Sequence, residues 1–173
     1  MPSKKKKNTH PPKHTPASLQ SHSGEHLLYE VGMFFQLGQL LMAGRFQSTP
    51  PEAAAIMHNA AIESLVLDLR NLLDFFDSAP THDTDVKAAM FYDSGHLPTD
   101  FPTKSGMLEK AHLRAHREMS HLTTERHSDG SPNSTYLMRE VKPLLEKFLH
   151  TASAARLDPK FTAHTTKLLV AMR

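Results

Sequence analysis

Between residues 24 and 172 the apolar side chains recur at steps of three and four, and nowhere do they alternate with polar ones. Leu27, Leu28, Val31, Phe34, Phe35, Gly38, Leu41 and Met42 fall on one stripe of a helix, and Ile62, Leu65, Leu69, Leu72, Leu73 and Phe76 fall on another. That period argues against a sheet and leaves helices packed face to face as the way to bury a core. A chain of 173 residues can do so in one domain without crosslinks, and having no cysteine it has none to use.

Turn and cap residues set the helix ends. The first helix closes near Gly44, and RFQSTPPEAAA restarts the chain with Thr49 as a cap and Pro50 and Pro51 where a missing N–H does no harm. The second helix runs to about Phe76. Residues 77–104 lose the period and gather Pro80, Gly95, Pro98 and Pro102, so a long connection is expected, with a short helical turn at Val86–Tyr92. A third helix, capped by Ser105, should run to about Arg126. A fourth opens at Ser131 or Ser134, carries Leu137, Val141, Leu144, Leu145 and Phe148, and should kink or split at Pro143. Phe161–Met172 forms a short terminal helix. The expected architecture is all-α: an antiparallel, up-and-down four-helix bundle with one long crossover and a C-terminal appendage.

The net charge of +2 hides a division along the chain. Residues 1–22 hold five lysines and no acid, leaving −3 on the remainder. This Lys, Pro and His-rich tail has almost nothing apolar to bury, so disorder is expected for 1–22 and a single domain for 23–173. Lys4, Lys5, Lys6 and Lys7 suit an electrostatic tether to RNA or another polyanion. No run supplies the roughly 20 apolar residues of a membrane span. No apolar stretch follows Lys4–Lys7 as it would in a signal peptide, so no membrane and a cytoplasmic setting are expected.

Titratable groups concentrate in RAHREMSHLTTERH, Arg114 to His127. At about 100° per residue, Leu108, Ala111, Ala115, Met119 and Leu122 define the buried face of the third helix. Arg114, Arg117, His121 and Glu125 form a separate stripe roughly 120° away. Imidazole titrates near neutrality and guanidinium holds phosphate, so Arg114, Arg117 and His121 are candidate catalytic residues. The bland alternative is a solvated face of ion pairs. On the second helix Arg70, Asn71 and Asp74 interrupt LVLDLRNLLDFF, and Asp74 could orient His121 while Arg70 adds positive charge. No metal or other cofactor is expected. Glu109-x-x-His112 and Glu118-x-x-His121 lie on opposite sides of one helix, and His112 with His116 supplies only half a zinc or nickel site. Phosphate-binding glycine loops, nucleophile elbows and dinucleotide fingerprints are absent.

Arg114 followed by six residues and His121, in RAHREMSH, resembles the Arg-(four to six residues)-His motif of the HEPN superfamily of small helical bundles. The resemblance implies a homodimer in which Arg and His of two subunits meet across the interface and act on RNA without metal, often opposite an antitoxin or other protein partner. Carried over, Arg114 would stabilise the scissile phosphate and His121 would serve as acid and base. Active members often carry a polar residue after the Arg, where this chain has Ala115. The competing expectation is a non-catalytic helical domain for self-association or partner binding.

Overall fold

The computed structural model describes residues 14–44, 50–77, 84–120 and 133–172, with backbone alone for 117–120. It is all-helical: no strand occurs among the described residues. Helix α1, Pro16–His22, passes through a π-helical turn at Ser23–Leu27 into α2, Leu28–Met42. Four further helices follow: α3 at Pro51–Phe75, α4 at Gly106–Ser120, α5 at Ser134–Thr151 and α6 at Pro159–Ala171. No described helix is long and apolar enough to cross a membrane.

Helix α1 corrects the expected extent of disorder. Thr15 and Ser18 form a reciprocal capping box, Pro16 takes the first helical position, and Leu19 is only 3% exposed in the core. One reciprocal cap and one anchored leucine order a segment whose composition alone reads as tail. Lys4–Lys7 and Thr49 lie outside the described residues.

The helices pair in alternating directions. Asn71 near the end of α3 donates to Glu30 near the start of α2 at 3.1 Å. On the other side Asp77 pairs with Lys104 and Asp74 meets His112, so α4 runs back along α3. Helix α5 runs back along α2, where Thr135 reaches Met42 and Gly38 faces Met138. A Cβ on Gly38 would lie 2.5 Å from the Met138 sulfur, so the missing side chain lets the two backbones close. Helix α6 packs on α2 and α5.

The core sits among these helices. Phe34, Phe35, Leu65, Leu69, Leu72, Leu73, Leu108, Leu144, Leu145, Phe148 and Phe161 are essentially buried. The long connection contributes too: its expected turn is a 3-10 helix at Ala88–Phe91, with Ala88 and Phe91 fully buried. Arg156 fixes it, its guanidinium donating to the carbonyls of Met90 and Tyr92 and pairing with Asp93.

Two details depart from the expected helix ends. The cap of α5 is Asn133, whose side chain accepts from the Tyr136 N–H at 3.1 Å, rather than Ser131 or Ser134. Asn133→Ala is expected to cost about 1 kcal/mol in urea unfolding, while Ser134→Ala should cost markedly less. The second departure is that α5 continues through Pro143 without splitting. Val141, Leu144, Leu145 and Phe148 are all buried around that point. Their burial, at roughly 1.5–3 kcal/mol each, outweighs a proline penalty of about 3 kcal/mol.

Candidate functional site

The polar face of α3 meets α4, but on its histidine flank rather than its arginine flank. Asp74 Oδ1 lies 2.8 Å from His112 Nε2 and 3.4 Å from His116 Nε2, and the two imidazole nitrogens are 3.2 Å apart. His112 and His116 are i,i+4 neighbours, so one turn of α4 stacks both rings over the same carboxylate. The other carboxylate oxygen, Oδ2, lies 3.7 Å from Arg70 Nε, and that nitrogen is buried with no hydrogen-bond partner. From below, the buried Lys87 donates to the Asp74 carbonyl at 2.8 Å. Asp74 is therefore held from three directions and meets His112 and His116, while His121, which it was expected to orient, lies outside the described residues.

Helix geometry explains the exchange. Arg114 is two residues beyond His112, about 200° round the helix. When His112 and His116 face α3, the Arg114 flank turns away from it. Arg70, Asn71 and Asp74 thus do not join Arg114. Arg117 falls within α4, but its side chain and the whole of His121 lie outside the described residues. Asn71 is also committed elsewhere, to Glu30 on α2.

Next to the histidines opens a cleft of about 550 Å³. His22 and His26, their rings 5.1 Å apart, form one wall; Arg70, Asn71 and Asp74 form another, and His116 borders it from α4. Burial holds His22 below the ordinary imidazole value, helped by His26 and His14 and opposed by Glu25. Burial likewise lowers His112, with Lys104 and His116 acting in the same sense and Asp74 opposing. At neutral pH these rings favour the bare, lone-pair-bearing form.

Sequence reasoning missed Asp68. It stands inside the apolar stripe of α3 and is 7% exposed, and burial with the neighbouring Glu30 raises its pKa to about 7. Its position among Leu65, Leu69 and Leu72 was the available signal, because a carboxylate at a core position must find a partner or a proton. The partnership of Asp74 with His112 and His116 carried no such signal, since its members are 38 and 42 residues apart. Comparisons with protein-family models, curated proteins and solved structures return no match for the chain.

Proposed function

We propose that this chain is a cytoplasmic HEPN-like domain acting on RNA as a homodimer. Helices α2 to α5 then form its up-and-down bundle, and Arg114, Arg117 and His121 its catalytic residues. The observation that supports this reading is the division of α4 into flanks. Leu108 and Ala115 point into the core and His112 and His116 grip α3, so the Arg114 flank is turned away from α3. In the sequence pattern Arg117 and His121 share the stripe of Arg114. A second copy of α4 brought against it would place two Arg–His pairs around one phosphodiester, with arginine stabilising the anionic transition state and histidine moving the proton. The Lys4–Lys7 run would add backbone affinity that salt weakens.

The test is cleavage of labelled RNA by the purified chain in the presence of a chelator. His121→Ala and Arg114→Ala should each lower the rate by roughly 100-fold or more while leaving the circular dichroism unchanged. Cleavage by His121→Ala at the parental rate, or no cleavage by the parent, overturns the catalytic reading.

A second reading, a non-catalytic module that pairs with its own copy, is favoured by the first turns of α3. Ile56 there is 70% exposed, beside the half-exposed Met57, and Leu113 on α4 is 57% exposed. Replacing Ile56 and Met57 with Asp should then convert a dimer to a monomer by light scattering without unfolding it. A parent that is already monomeric rules out both the dimeric ribonuclease and the self-pairing module.

A further inference from the structure

We infer that Asp74, His112 and His116 form a binding site for one divalent transition-metal ion of the zinc type, joining α3 to α4. The site goes beyond the RNA reading, because it occupies the flank of α4 opposite Arg114. The three ligand atoms, one from each side chain, all lie within 4.8 Å of one another. Their separations of 2.8, 3.2 and 3.4 Å approximate the face of a coordination tetrahedron. Metal–ligand bonds of about 2.0–2.1 Å place tetrahedral ligands roughly 3.3 Å apart.

Without a metal the three atoms share protons: Asp74 Oδ1 can accept from both imidazole N–H groups, or one ring can donate to the other. A cation above the three atoms replaces those hydrogens, accepting two imidazole lone pairs and one carboxylate charge. Two imidazoles and a carboxylate suit Zn²⁺, Co²⁺ or Ni²⁺ rather than Mg²⁺ or Ca²⁺, which prefer oxygen.

The surroundings are consistent with such an ion. Lys87 anchors the Asp74 main chain through its carbonyl, and the Arg70 guanidinium lies 3.7 Å from Oδ2, so the ligating side chain starts from a fixed backbone beside a fixed charge. Asp74 and His116 both border the cleft, which leaves room for a water molecule as the fourth ligand.

The experiment is a titration of the full chain, stripped with a chelator, with Co²⁺ and then Zn²⁺ at neutral pH. Of the 13 histidines, eleven lie outside the site, so binding is scored against a His112→Asn/His116→Asn variant. The parent should take up one more equivalent of Co²⁺ than this variant, with the visible absorption of a four- or five-coordinate ion that Zn²⁺ displaces. His116→Asn, with a ring 40% exposed, should keep its fold and bind at least 10-fold more weakly, and Asp74→Asn likewise. Metal uptake unchanged by His116→Asn, or no equivalent beyond that of the double variant, overturns the inference. Because RNA cleavage is measured in chelator, its loss and the loss of metal binding are read separately.

Discussion

Phe148→Ala is expected to lower the unfolding free energy by about 3–5 kcal/mol, the range for deleting a fully buried aromatic ring. Phe148 is 0% exposed and sits where three parts of the chain converge. Phe75 of α3 meets it edge-on at 5.3 Å and Phe91 of the long connection at 5.4 Å, with Phe76 at 5.9 Å and Phe161 of α6 at 6.4 Å. Each edge-to-face pair adds roughly 0.5–1.5 kcal/mol beyond the area it buries. The cavity cannot close by moving one neighbour, because Arg156 pins the connection and α3 is fixed from both sides. Domains of this kind hold only about 5–15 kcal/mol in total, so the variant should unfold in urea at a midpoint roughly 2 M lower. Val170→Ala, at an exposed position on α6, should stay within about 0.5 kcal/mol of the parent. A loss under 1 kcal/mol for Phe148→Ala would show that the aromatic cluster does not hold these elements together.

The elements that form this cluster were legible to unequal degrees. Leu65, Leu69, Leu72 and Leu73 repeat at helical steps and are all buried, because a helix with one apolar stripe has one way to face a core. The Val86–Tyr92 turn was marked by a few apolar residues within a proline-rich stretch, and it is those residues that anchor the connection. Helix α1 escaped because its order depends on one leucine and a hydrogen-bonded cap, which average composition does not register. The polar site was legible only by halves. The spacing of His112 and His116 gave their shared face, and Arg70, Asn71 and Asp74 announced a polar face on α3. Which flank of α4 that face would meet depends on how α3 and α4 rotate about their axes. That rotation is set by core packing at Leu108 and Ala115, a long-range property that no local spacing encodes.

The Asp68→Asn variant is expected to be more stable than the parent at pH 8, by about 4 kcal/mol, and nearly equal to it close to pH 4. The carboxyl of Asp68 is buried beside Glu30, its Oδ2 has no hydrogen-bond partner, and its pKa rises from 3.8 to about 7. Burial is the larger cause and the Glu30 charge the second. In the unfolded chain the group loses its proton near pH 3.8, while in the folded chain it keeps the proton until about 7. Below pH 3.8 both states are protonated and the residue is neutral to stability. Between those values the folded state alone holds the proton, so stability falls by about 1.4 kcal/mol per pH unit and then levels off. Asparagine has the shape of the protonated acid, and its amide can donate to Glu30 as the acid's hydroxyl does, while Asn71 continues to hold Glu30 from the other side. The substitution therefore removes the charge without opening a cavity. The check is urea unfolding of both proteins from pH 4 to 8, reading the difference between them so that other titrations cancel. A difference that stays flat, or a variant less stable at pH 8, would mean that Asp68 is ionised in the folded protein and that a cation or a rearranged neighbour compensates it.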